Sequence, residues 1–184
     1  MKIMHRIIYL FLLLLLSGNS HAEKLFWGIS AISQEVNLTI NNGTTSTTAT
    51  DDGTGFGIYA DMYHQNKYRF NGTVSYIDYT SFSITSVTAS ADYLVPLNPQ
   101  ATFFIGATAG GAGQVYSGAG VSDSAFTGLY GIQTGAIMLL GNNIILEAGY
   151  RLKFTSLETE FTGTTTTTTL DELNETYISL TLLM

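Results

Sequence analysis

From Lys24 onward, apolar residues alternate with small or polar ones at a period of two, and the pattern recurs eight times. A period of two puts successive side chains on opposite faces of an extended strand. The first strand is predicted over 24–35, with Leu25, Trp27, Ile29 and Ala31 against Phe26, Gly28 and Ser30. The second, 55–64, sets Phe56, Ile58, Ala60 and Met62 against Gly57, Tyr59, Asp61 and Tyr63. The third sets Tyr68, Phe70, Val74 and Tyr76 against Arg69, Asn71, Thr73 and Ser75, and the fourth Val87, Ala89, Ala91, Tyr93 and Val95 against Thr88, Ser90 and Asp92. The fifth, 102–116, has Phe103, Ile105, Ala107 and Ala109 on one face, and the sixth, 125–140, has Tyr130, Ile132, Ala136 and Met138. The seventh runs Ile144, Leu146, Ala148, Tyr150, Leu152 and Phe154 against Glu147, Gly149, Arg151 and Lys153. The last sets Ile178, Leu180, Leu182 and Met184 against Tyr177, Ser179, Thr181 and Leu183.

The predicted connections alternate in length. Short turns lie at Gln65-Asn66-Lys67, at Pro96-Leu97-Asn98-Pro99 and at Gly141-Asn142-Asn143. On the other side stand two long polar segments, 36–54 and 156–171, with a Gly/Ser-rich connection after the fifth strand and a tight turn near Thr80-Ser81. One face of every strand is apolar, while the in-strand charges share the other face with Gly, Ser, Thr and Asn. In water each apolar face would be an exposed patch. Against hydrocarbon it is at home, provided the sheet closes and leaves no unpaired edge in the lipid. The prediction is therefore an all-β, eight-stranded antiparallel up-and-down transmembrane barrel, its termini and short turns in the periplasm and its longer loops outside the cell. Trp27, Tyr68, Phe70, Tyr93 and Phe103 fall near one interface and Tyr76, Phe126 and Phe154 near the other, as an interfacial aromatic girdle requires.

The N-terminus adds the route. Lys2 and Arg6 precede the apolar run Ile7–Leu16, and the small, polar stretch 17–22 ends in Ala22, so 1–22 reads as a signal peptide and 23–184 as the barrel domain. Charged residues make up 11% of the chain and cysteine is absent, so no disulfide framework and no cysteine-based zinc site is expected. Acids outnumber bases by 14 to 7, which disfavours nucleic acid as a partner. No cofactor is expected.

The glycine-rich stretch Phe104-Ile105-Gly106-Ala107-Thr108-Ala109-Gly110, the segment Leu146-Glu147-Ala148-Gly149-Tyr150-Arg151 and the C-terminal strand carry a resemblance. Across the predicted barrel the chain resembles the small bacterial outer-membrane β-barrel proteins of the OmpA-domain and opacity-protein type. The resemblance implies an outer-membrane location, contact with lipid and lipopolysaccharide, and a monomer. It also implies that the barrel-insertion machinery reads the last strand. The family commonly ends in an aromatic residue; here the alternate positions are Ile178, Leu180, Leu182 and Met184.

Eight strands enclose a space that side chains can fill. Asp61, Arg69, Asp92, Glu147, Arg151 and Lys153 are predicted to form a polar network there. A turn centred on Gln65 would set Asp61 opposite Arg69, and one between Thr80 and Ser81 would set Arg69 opposite Asp92, letting one guanidinium bridge two carboxylates. Outside the barrel stand Glu35, Asp51, Asp52, Asp78, Asp123, Glu158, Glu160, Asp171, Glu172 and Glu175, with the Thr164–Thr169 run among them. The one histidine of the mature chain, His64, falls at a periplasmic turn and sees no serine–acid constellation, so no enzyme is expected. The expected role is a plugged barrel whose acidic, Thr-rich surface loops meet an extracellular partner, in adhesion or envelope integrity. The alternatives are a small passive channel and a soluble exported barrel binding an apolar ligand.

Overall fold

A computed structural model describes residues 25–41, 43–116, 124–141, 143–160 and 167–182. The proposed signal peptide, Asp123 and Met184 lie outside the described residues, as does half of the threonine run. Eight antiparallel strands close into a barrel in sequence order. They are β1 (Leu25–Asn41), β2 (Ser46–His64), β3 (Tyr68–Asp78), β4 (Phe82–Pro96), β5 (Ala101–Tyr116), β6 (Ser124–Leu140), β7 (Ile144–Glu160) and β8 (Thr167–Leu182). Closure is made by β1 against β8, from Trp27 opposite Leu182 to Asn41 opposite Thr167.

The segments 36–54 and 156–171, expected as loops, are largely strand. β1 runs on to Asn41 and β2 begins at Ser46, while β7 reaches Glu160 and β8 starts at Thr167. The reason is that the alternation does not stop; it changes phase. Low on β1, Leu25, Trp27 and Ile29 face out, and Gly28 and Ser30 face in. Higher up, Ser33 and Glu35 face out while Ile32, Val36 and Leu38 face in. Extended threonines favour strand, and the inward leucines give those extensions a core of their own.

The two long hairpins therefore rise above the rest. Pairing of β2 with β3 ends at Thr54 opposite Asp78, and pairing of β6 with β7 ends at Leu129 opposite Thr155. Beyond those points β2, β1, β8 and β7 continue as a four-stranded sheet, held together from Asn41 opposite Ser46 to Glu160 opposite Thr167. A β-bulge between Phe154 and Leu157 lets β7 follow β8.

Candidate functional site

The outer wall comes first because it fixes what the inside must be. Ile29, Phe56, Ile58, Val74, Ile105, Ile132, Ile178 and Leu182 are each more than half exposed. They form a belt that runs around the closed cylinder, a surface suited to acyl chains. Trp27, Tyr68, Phe70, Tyr93 and Phe103 lie exposed toward its short-turn edge, and Tyr68 meets Tyr93 edge to face, 5.8 Å between centroids. At the other edge Tyr76 packs on Phe56 (6.1 Å) and Phe154 on Tyr130 (5.8 Å), with Phe126 exposed beside them. Phe56 and Tyr130 extend the aromatic set read from the sequence. Ile178, Leu180 and Leu182 face outward on β8.

Inside, the six charged residues expected in the lumen are all buried. Arg69 lies at the centre of one group. Its Nε donates to Asp92 Oδ2 (2.8 Å), and its Nη1 and Nη2 both donate to Glu147, the latter at 3.2 Å. Phe104 stacks under the guanidinium, 4.4 Å from Cζ to ring centroid. Asp92 does stand opposite Arg69, but Asp61 stands opposite Asn71. The turn Gln65-Asn66-Lys67 places Gln65 and Asn66 at positive φ (53° and 54°), which centres the hairpin one residue later than the sequence suggested. Asp61 accepts from Asn71 Nδ2 (2.6 Å) and approaches Arg69 Nη1 at 3.8 Å. The guanidinium thus faces three carboxylates rather than two.

The second group corrects a placement. Glu175, expected among the external acids, has no exposed surface and lies in the lumen. Its Oε1 accepts from Arg151 Nη1 (2.8 Å), and its Oε2 from Lys153 Nζ (2.6 Å) and Gln34 Nε2 (2.9 Å). The signal was present in the sequence: Glu175 shares its parity with Tyr177, Ser179 and Thr181, the face assigned inward. Gln133 joins the two groups, donating to Asp92 (2.6 Å) and accepting from Arg151 Nε (3.0 Å). Tyr177 donates to Glu147 (2.6 Å) and stacks on Arg151 at 4.0 Å. Above, Tyr79 donates to Gln34 (2.6 Å). Burial raises the Tyr79 phenol well above its ordinary range, so it remains a neutral donor.

Apolar layers close both ends of this network. Toward the short turns are Phe26, Leu94, Phe104, Ile137 and Ile145; toward the long hairpins are Ile32, Val36, Ile77, Ile84, Leu129 and Leu170. Three inward glycines, Gly28, Gly135 and Gly149, lie under aromatic rings. A Cβ on Gly149 would lie 2.5 Å from Tyr177 Cζ, and one on Gly135 would lie 2.7 Å from the Phe104 ring. Tyr59 covers Gly28 in the same way and donates to Ser179 (3.0 Å). The periodic pattern missed this layering because it registered the outward apolar face and treated the inward one as polar throughout.

Of the external acids, Glu35, Asp52, Asp78, Glu158 and Asp171 are exposed, and Asp51 and Glu172 are half-buried. They stand on strands rather than on loops, Asp78 closing β3 and the others on β1, β2, β7 and β8. Glu35 lies directly opposite Asp52 across β1 and β2. Asp123 lies outside the described residues, and Glu160 is described here only as the last residue of β7. His64 is exposed at the end of β2, beside the turn. Among the described residues no group of three or more His, Cys, Asp or Glu side chains is arranged to hold a metal ion.

No protein-family model matches the chain, and no curated protein sequence matches it. Solved structures do. Neisserial surface protein A superposes with a TM-score of 0.60 at 15% identity, covering 85% of this chain and 97% of that one. The outer membrane protein AlkL, solved in lipid bilayers, gives a TM-score of 0.46 at 13% identity, covering 89% and 91%. The attachment invasion locus protein Ail of Yersinia pestis gives 0.40 at 17% identity, covering 82% and 98%. The first of these shares the eight-stranded barrel fold with this chain.

Proposed function

We propose that this chain is an integral outer-membrane protein whose sealed barrel serves as a platform for the acidic, Thr-rich hairpins outside the cell. The observation that carries the reading is the filled lumen. An ionic network between two apolar layers offers no aqueous route, so what the molecule can present lies on its rim. Its role is then surface interaction, in adhesion or in maintaining the envelope, and not catalysis. The apolar belt meets lipid and the acyl chains of lipopolysaccharide, and the short turns face the periplasm. The outward residues of β8, Ile178, Leu180 and Leu182, suit recognition by insertion machinery, and the complete belt suits a monomer.

Planar-bilayer recording tests the reading. The reconstituted protein is expected to leave the membrane silent over a range of voltages. Reproducible single-channel steps would replace the platform by a small passive channel, and recovery of the protein in the periplasmic fraction without detergent would point to a soluble barrel.

A further inference from the structure

The four-stranded sheet above the rim has an edge with no strand paired to it. Among the described residues, the eight residues Ser46–Gly53 of β2 pair with β1 but have no strand on their other side, because β3 ends at Asp78 and turns at Tyr79. Ser46–Thr50 and Asp52 are exposed. At about 3.3 Å per residue, the edge is roughly 26 Å long. Edges of this kind are normally blunted by charged side chains, above all lysine, by proline or by a bulge. The stretch Ser46-Thr47-Thr48-Ala49-Thr50-Asp51-Asp52-Gly53 contains no lysine and no proline, and its pairing with β1 is unbroken by a bulge. Its only charges are Asp51 and Asp52, the Asp52 amide donating to Asp51 Oδ1 (3.0 Å). The opposite edge of the sheet, Ser156–Glu160 on β7, is shorter and lies on the bulge.

We infer that the β2 edge is a docking site for an extended, basic peptide segment of a partner protein, which adds to the sheet as a fifth strand. Main-chain hydrogen bonds to the free side of Ser46–Gly53 supply the binding, as in other strand additions. Charge selects the partner. Glu35, Asp51, Asp52 and Asp78 surround the edge, and the sequence holds no lysine or arginine between Lys24 and Lys67, between Arg69 and Arg151, or after Lys153. Lys67 is in a turn at the far end of the barrel, and Arg69, Arg151 and Lys153 are buried. The rim is therefore acidic with no cation of its own. A second copy would set one acid-lined edge against another, whereas lysines or arginines on an incoming strand would meet carboxylates on both faces of β2. This inference rests on the platform reading, since it requires the rim to stand free outside the membrane.

The test uses the full chain in phosphatidylcholine nanodiscs and a ten-residue peptide of alternating lysine and valine. Two controls match its length: alternating lysine and proline, equally charged but unable to donate regularly to a ladder, and alternating glutamate and valine. Amide hydrogen exchange is the readout. The lysine–valine peptide is expected to slow exchange within Ser46–Gly53 by roughly tenfold or more, with neither control doing so. The double variant Asp51→Asn, Asp52→Asn should weaken binding and steepen its loss with salt less. Equal binding of the lysine–proline peptide, or protection only at Ser156–Glu160, overturns the inference. So does protection of Ser46–Gly53 that grows with protein concentration in the absence of peptide, which would make the occupant a second copy. If the chain enters nanodiscs and Ser46–Gly53 stays unprotected, strand docking falls and the platform stands. If the chain does not enter them, both fall.

Discussion

Glu175 illustrates what a single carboxylate does inside a closed wall. Two cations and an amide converge on it, so its removal leaves Arg151 and Lys153 buried without an anion. Breaking a buried pair from one side costs about 3–5 kcal/mol. Glu175→Ala should accordingly lower the urea midpoint of the detergent-folded protein well beyond experimental error. Glu158→Ala, at an exposed position, should change stability by no more than about 0.5 kcal/mol. Gly149 is sensitive in the opposite direction. A valine there would push against Tyr177, whose hydroxyl is bonded to Glu147, and overpacking of this sort costs about 1–3 kcal/mol. Gly149→Val should show that loss in the same titration, whereas Gly141→Ala, at a turn where a Cβ meets nothing, carries only the strain of its φ of +71°.

At the scale of the element, the informative feature is the reversal of phase within single strands. On β4, Val87–Val95 carries the outward apolar set, and Thr85 and Ser83 follow outward above it. Nine residues match the roughly 9–11 that a tilted strand needs to cross hydrocarbon. Spin labels at Ile105 and Leu146 should therefore report dissolved oxygen in lipid, while labels at Thr48 and Thr85 should report a water-soluble relaxing agent. Oxygen contact at Thr85 would move the membrane boundary up the strand. The strand count and the outward faces were legible because lipid imposes one strict alternation on every crossing segment. The lengths of β1, β2, β7 and β8 were not, because a window that expects apolar residues outside reads Val36, Leu38, Leu157 and Leu170 as exceptions in a polar loop. Nor was the partner of Asp61: a hairpin turn sets its register through backbone angles at Gln65 and Asn66, which neither residue type dictates. The charged lumen residues could be placed on the inward face from parity alone, and turn arithmetic gave the Arg69–Asp92 pair, but the partners across the barrel could not be read. Arg69 meets Glu147 across the barrel, and no local spacing encodes that contact.

The whole molecule combines two environments in one tube. Around its lower part the hydrophobic surface faces out and the ions face in; in the projecting sheet the arrangement is that of a protein in water. Buried apolar side chains lie on either side of the ionic network, which is why silence in a bilayer is the expected behaviour.

The ionic core also constrains how such a tube comes into being. Its bonds join distant parts of the chain, Gln34 with Glu175 at 141 residues' separation and Arg69 with Glu147 at 78. Two hairpins carry part of their own neutralisation, Arg69 with Asp92 on β3–β4 and Arg151 and Lys153 with Glu175 on β7–β8. Glu147, however, would enter without Arg69, and an uncompensated charge near the centre costs about 2.5–3.5 kcal/mol. Threading β7–β8 apart from β3 is thus uphill by the missing contact between Glu147 and Arg69. Full neutralisation therefore waits on closure of the cylinder, where β1 meets β8 and Gln34 reaches Glu175.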